Sequence, residues 1–527
     1  MEDGSETGDR LDSGESWVGD AGYINIQGFP LLARKLDQFM FYTPKILVIM
    51  PSRSSLLLGL LGSTAVAAAE ETVLGAYILA RHGDRTPKSN PPAELTELGY
   101  SQTYMTGSYY RSRYLSENST LQIWGISPDV IVPAQVAASA PNDEVLQKSA
   151  TAFFQGLYPP VGGDVASATL RNGEKVEAPM DGYQLVYVEQ AEHGKDSENT
   201  MWLQGTSDCH NAKVSSNSYF TSESFEEMLE STEEFYESLV PMLENTFPPE
   251  DISFRNAYMV FDALNVANIH NSSFPSDELL TEETFAQLQY LANTYEFNLA
   301  WNESEPIRAI AGSTLATDIL TALTSFVDSQ GKKGSKLNVQ FGAYANFMAF
   351  FGLAQLPKAN VDFTGIPDYA SSMAFELVTE SEDEFPAAKD ISVRFLFHNG
   401  TIEGSDAESK PTAFPLFGQS ETVLPWSEFV LGMKEIGVPT DQAEWCEMCG
   451  STSGECAAID GDAVTASTEN GISRPVAGVI GALVTLAVVL GVQALVLLAG
   501  GFRLVRKSKV VPQMQFEKQM SVSTASV

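Results

Sequence analysis

The chain has 527 residues, with 31 Lys plus Arg against 68 Asp plus Glu and a formal net charge of −37. A surface this acidic excludes nucleic acid as a partner and repels anionic lipid, because both present dense negative charge. The length is enough for a large two-lobed domain with appendages.

Residues 1–49 open with a polar, acidic, Gly- and Ser-rich run and show no period. They are expected to be a disordered extension, or to precede a true start at Met50. From Met50 onward a basic residue, Arg53, is followed by the apolar run 56–61 and small residues to Ala69. That order is a secretory signal peptide over 50–69. Residues 70–455 are then the exported domain, with a helical insertion over about 205–330.

The apolar run 73–80 reads as a buried strand and opens directly into Arg81-His82-Gly83-Asp84-Arg85-Thr86-Pro87. Thr96-Glu97-Leu98-Gly99-Tyr100 starts a helix that continues to Tyr114. A second strand is expected over 130–136 and a helix over 145–157, stopped by Tyr158-Pro159-Pro160. The middle third is helical by spacing: one helix over 225–243 kinked at Pro241, then 254–270 and 282–301. Strand signals return at 336–341 and 391–397. The pattern predicts an α/β fold, a three-layer core with a central sheet flanked by helices and an inserted, mainly helical lobe.

Residues 456–475 read as a Ser/Thr/Gly-rich stalk, and 476–502 carry no charge over a length that spans a bilayer as one C-terminal helix. Arg503, Arg506, Lys507 and Lys509 supply the positive cytoplasmic flank. The expected topology is single-pass type I, with the membrane as a partner through one spanning helix, 503–527 as the cytoplasmic tail and the main domain extracellular or lumenal. The sequons at Asn118, Asn271, Asn302 and Asn399 fall in the exported part and are glycosylation candidates. Cys446-x-x-Cys449 could belong to a zinc site, but in an exported chain Cys209, Cys446, Cys449 and Cys456 read better as one or two disulfides. Their connectivity is one of three, and no metal or cofactor is expected.

A histidine between two arginines at a strand end suits one chemistry. The guanidiniums clamp an anion while a neutral imidazole attacks it. Gly83 would let the backbone approach that anion, and Asp84 would help only if turned inward. His193, His210 and His270 read as solvated, and His398 ends a strand beside the Asn399 sequon.

Arg81-His82-Gly83-x-Arg85-x-Pro87 resembles the signature of the histidine acid phosphatases, the branch that includes fungal phytases. Segments 95–100, 146–159 and Pro367-Asp368-Tyr369-Ala370-Ser371-Ser372 to Leu377 are similar to later parts of the same family. The resemblance implies hydrolysis of a phosphomonoester, small molecule or phosphoprotein, through a phosphohistidine on His82. Arg81 and Arg85 would hold the phosphoryl oxygens.

The family's remaining groups are a middle arginine and a distal His-Asp pair whose acid protonates the leaving alcohol. Residues 138–144 contain no cation, and Tyr344 and Ala345 stand where the pair is expected. Tyr344 retains a phenol that can bond phosphate. Ala345 has no proton to give, so the general acid is unassigned; Asp362, Asp368 and Glu376 are nearby acids without a motif. Two functions follow: a membrane-anchored acid phosphatase of weakened activity, or a catalytically impaired relative that binds a phosphorylated ligand or serves a structural cell-surface role.

Overall fold

The computed structural model describes residues 71–191, 209–272, 279–403, 410–452 and 456–457. The expected extension, signal peptide, spanning helix and tail, with His193, lie outside the described residues, as does the expected stalk beyond residue 457.

In chain order the elements are β1 (Thr72–Arg81), α1 (Glu97–Tyr114), β2 (Val136–Pro141), α2 (Glu144–Leu157), the hairpin β3 (Ser167–Thr169) and β4 (Lys175–Glu177), α3 (Pro179–Gly182) and β5 (Glu189–Ala191). A run of helices follows: α4 (His210–Ser218), α5 (Glu223–Ser231), α6 (Glu233–Leu243), α7 (Ala257–His270), α8 (Glu282–Ala300) and α9 (Ile310–Asp328). The remainder is β6 (Leu337–Gly342), α10 (Tyr344–Leu353), β7 (Ser372–Thr379), β8 (Ser392–His398), β9 (Thr412–Ala413), β10 (Val423–Pro425), α11 (Trp426–Ile436) and α12 (Gln442–Cys449).

Eight strands form one mixed sheet in the order β10-β8-β7-β1-β6-β2-β5, with β9 on β8. β1 lies at its centre, parallel to β6 and antiparallel to β7. It is continuously apolar because both of its faces are covered. Leu74, Tyr77 and Leu79 meet α9, α10 and α11 through Leu315, Phe347 and Phe429. Val73, Ala76, Ile78 and Ala80 meet α1 and α2 through Tyr110, Tyr114 and Phe153. The expected central sheet flanked by helices is present.

Several boundaries differ from expectation for local reasons. The second strand starts at Val136 rather than 130, since Pro133 opens a 3₁₀ turn over Pro133–Gln135. The expected single helix over 225–243 is two, α5 and α6, broken at Thr232. The Thr232 hydroxyl donates back to the Met228 carbonyl at 2.7 Å and closes the first helix, while Pro241 sits inside α6 without ending it. Tyr219, Phe225, Tyr236, Phe254 and Leu288 build the core of the helical lobe. α9 falls inside the expected insertion yet belongs to the sheet: Leu315, Ile319, Leu323 and Phe326 join the core beneath β1. Residues 306–328 are long and apolar enough to cross a membrane, but here they are mostly buried inside the protein.

The disulfides are Cys209–Cys449 and Cys446–Cys456, which selects one of the three pairings. They dock α12 against the start of α4 in a small core with Trp445 and Ile310. Cys456, the first residue of the expected stalk, is therefore packed structure.

Candidate active site

Parallel pairing sets Arg81, the last residue of β1, opposite Gly342, the last of β6. The motif loop and the N-terminus of α10 thus leave the sheet side by side, at the strand ends where α/β folds place their ligands. β7 runs the other way and begins with Ser372 beside Ala80, which lays residues 367–371 across the loop. Two backbone bonds fix that strap: Arg81 N–H to Ser371 O at 2.8 Å and Ala370 N–H to His82 O at 2.9 Å.

Gly83 also has a packing role that the motif alone does not reveal. A Cβ there would lie 2.1 Å from the Gly99 carbonyl oxygen, and one on Gly99 would lie 2.0 Å from that of Asp84. The glycines let loop and α1 meet backbone to backbone. Gly83→Ala is expected to cost about 1–3 kcal/mol through this overpacking, measured by urea unfolding; unchanged stability would refute the account.

His82 is 6% exposed. Its Nδ1 lies 2.8 Å from the Gly83 carbonyl oxygen, so Nδ1 carries the proton and Nε2 keeps its lone pair. Burial, then the charges of Arg81 and Arg85, hold its pKa well below the ordinary 6.5. The ring is a neutral imidazole with a free nucleophilic nitrogen.

The arginines are less free than the motif implied. Arg85 is 2% exposed and gives Asp262 a bidentate pair, Nη2 to Oδ1 at 2.8 Å and Nη1 to Oδ2 at 3.2 Å. It also donates to the Tyr258 hydroxyl at 3.0 Å and to the Thr86 carbonyl at 2.9 Å. Arg81 donates Nη1 to the Pro367 carbonyl, between the rings of Tyr344 (5.4 Å) and Tyr369 (4.8 Å). In both residues Nε is buried and has no hydrogen-bond partner among the described residues.

The Tyr344 ring packs 4.8 Å from that of Tyr258 and 5.4 Å from the Arg81 guanidinium carbon. Burial, then the nearby Glu296 and Tyr258, push the phenol well above its ordinary pKa. Burial also pushes Glu296 up to about 7, against the pull of Tyr344 and Lys88. Ala345 is half-buried against the helical lobe.

The other carboxylates hold structure. Asp84 is fully buried, and its Oδ2 accepts from Thr96 and lies 2.6 Å from His270 Nε2. His270, read from sequence as solvated, thus holds the inward-turned acid of the motif. Asp362 is exposed on a 3₁₀ turn. Asp368 lies near Arg81, and its Oδ2 accepts from Asn399 Nδ2 at 2.9 Å. Glu376 is locked between Arg113 and Arg394.

Lys88, three residues past Arg85, places its Nζ 5.9 Å from the centre of the Tyr258 ring and adds a small further downward pull on the His82 pKa. Sequence reasoning missed Lys88, Tyr258, Asp262, Glu296 and the ring of Tyr369, which lies 5.7 Å from His82.

The profile of the family described as histidine phosphatase superfamily (branch 2) matches residues 91–398, a span that begins just past the motif. Among solved structures, a phytase from Citrobacter braakii is similar at 16% identity and a TM-score of 0.51, over 70% of this chain and 98% of its own. A Klebsiella phytase is similar at 12% identity and a TM-score of 0.50, over 70% of this chain and 95% of its own. At such identities the likeness is one of fold. No curated protein is significantly similar.

Proposed function

The chain belongs to branch 2 of the histidine phosphatase superfamily, and from that premise we propose that it hydrolyses phosphomonoesters through a phosphohistidine on His82 Nε2. One observation carries the reading. A buried imidazole, neutral and with its lone pair free, lies between two arginines whose buried Nε–H groups have no partner among the described residues. A phosphoryl oxygen is the acceptor such donors fit. Nε2 attacks phosphorus, the ester P–O bond breaks, and the leaving oxygen takes a proton; water then cleaves the N–P bond and frees phosphate. Arg81 and Arg85 stabilise the charge that develops on the equatorial oxygens.

The solved neighbours are phytases, but this site is a poor match for a polyphosphate. Three cations, Arg81, Arg85 and Lys88, share it with Asp84, Asp262, Asp368 and Glu296. A monoester of low charge, in the manner of an acid phosphatase substrate, is the better fit. The placement outside the cell or in a lumen, held by the 476–502 span, rests on the order of signal, sequons and basic flank. Protease access to residues 70–475 from outside intact cells tests it.

The Arg85–Asp262 pair favours a second reading, a relative that binds a phosphorylated ligand through Arg81 without turnover, because the carboxylate occupies the Arg85 Nη donors that a transition state would need. Assays of 4-nitrophenyl phosphate and glycerol 2-phosphate between about pH 3 and 7 decide between them. His82→Ala is expected to lower turnover at least about 10³-fold and to abolish acid-labile phosphoenzyme. Hydrolysis that survives this substitution would discard the proposal. Phosphate binding with no turnover would support the second reading.

A further inference from the structure

We propose that His270, the last residue of α7, is a positioning residue of the reaction: it holds Asp84, and through Asp84 the peptide that orients the His82 imidazole. The inference rests on the hydrolase reading above, which makes His82 Nε2 the nucleophile. A chain of hydrogen bonds carries it from the surface of the helical lobe to that ring.

His270 Nε2 lies 2.6 Å from Asp84 Oδ2. A carboxylate oxygen only accepts, so the ring nitrogen donates. Asp84 is fully buried; its Oδ2 accepts also from the Thr96 hydroxyl, and its Oδ1 has no partner among the described residues. Both neighbouring arginines bond elsewhere, Arg81 to the Pro367 carbonyl and Arg85 to Asp262. The acid is therefore held at its side chain by Thr96 and by a group from another lobe.

The backbone of Asp84 is fixed as well. Its N–H donates to Gln102 Oε1 at 2.8 Å, and its carbonyl accepts from the Thr96 N–H at 3.1 Å. That N–H belongs to the Gly83–Asp84 peptide, whose carbonyl oxygen takes the His82 Nδ1 proton at 2.8 Å. One planar unit thus links the held acid to the contact that sets the nucleophile's tautomer.

α7 grips the motif twice. Asp262 and His270 lie eight residues apart on it, a little over two turns, and take hold of the adjacent residues Arg85 and Asp84. The helix sets an acceptor on the loop's base and a donor on its acid. Arg85 has further anchors in Tyr258 and the Thr86 carbonyl, so its place does not depend on His270. The two grips divide the work: Asp262 holds the clamp, and His270 holds the nucleophile.

The test uses the full-length protein, with 4-nitrophenyl phosphate turnover counted per folded molecule. His270→Ala is expected to lower kcat about 10–10²-fold, the effect of a slightly misplaced reacting group. KM and the inhibition constant of inorganic phosphate should stay within about threefold, because the arginines keep their own anchors. His270→Gln, whose amide can set a donor where Nε2 stood, is expected to restore kcat to within about fivefold. In an Asp84→Asn background His270→Ala should cost about twofold or less, since its effect runs through that acid. An unchanged kcat in His270→Ala, a Gln variant as slow as the Ala one, or a full second loss in the double variant would each overturn the assignment. If His270→Ala does not fold, His270→Phe, which keeps the ring's bulk and removes the donor, must show the same kcat loss or the assignment fails. Nitrogen NMR of labelled histidine reads the link without turnover: His82 should hold the Nδ1–H tautomer in the unsubstituted protein and populate both tautomers in His270→Ala. A single tautomer in both proteins would overturn the proposal. Absence of His82-dependent turnover in the unsubstituted protein removes the hydrolase reading instead, and the tautomer comparison then decides the link alone.

Discussion

Alanine at position 262 is expected to cost the fold about 3–5 kcal/mol, the usual penalty for stripping one partner from a buried ion pair. Asp262 is 3% exposed and Arg85 is 2% exposed, so neither charge can recover hydration when the other is removed. The carboxylate also accepts the Lys88 backbone N–H at 2.7 Å, so the substitution orphans a second donor. Guanidinium chloride unfolding measures the loss. Inorganic phosphate gives the result its functional content. If Arg85 is a phosphoryl ligand, phosphate takes over the vacated donors, and it should raise the melting temperature of Asp262→Ala more than that of the unsubstituted protein. An equal rise in both would mean that Arg85 serves only the structure.

Glu376→Ala is the second large effect, and it should leave catalysis alone. Glu376 is fully buried. Its Oε1 accepts from Arg113 Nε and the Tyr114 hydroxyl, each at 2.7 Å; its Oε2 accepts from Arg394 Nε at 2.8 Å and Nη2 at 2.6 Å. Alanine would leave two largely buried guanidiniums facing each other, at about 3–5 kcal/mol. The rate per folded molecule should stay within about twofold of the original, since the network lies down the strand from His82. The pH dependence has a definite sign. Burial pulls the Glu376 carboxyl upward, but Arg113, Arg394 and Tyr114 outweigh it and hold the pKa below the usual carboxylate range. Its contribution is therefore complete above the unfolded carboxylate pKa and is lost as pH falls through the lower, folded-state value. Acid unfolding should flatten in the variant; an unchanged acid limb would contradict the network's ionised state.

Much of the fold was legible because it is local. β1 is an unbroken apolar run, Thr96 and Asp143 cap the helices that follow the first two strands, and the motif lies at a strand end. What escaped was set by distant partners. Val260-Phe261-Asp262-Ala263-Leu264 reads as one apolar turn with a stray acid, and only Arg85, 177 residues away, explains the acid. A carboxylate inside an apolar helical run was the available signal, because buried charge demands a counter-charge. His270 ends its helix in polar company and gave no such signal, yet its ring, 37% exposed, bonds Asp84. The place of the proton donor was readable only as a gap at Ala345.

The Cys209–Cys449 bridge has a topological consequence. It closes 240 residues of chain, including the helical lobe, β6, α10, the strap and β7, into a covalent ring. A single peptide-bond cut anywhere in that ring opens it without releasing a fragment, so the lobe that supplies Asp262 stays leashed to the helix and strap bearing Tyr344 and Tyr369. The motif itself lies outside the ring, on the segment that precedes Cys209. Nucleophile and supporting acids thus sit on two covalent parts that meet only through folding, and a cut between residues 191 and 209 leaves non-covalent contacts alone to hold the halves of the site together.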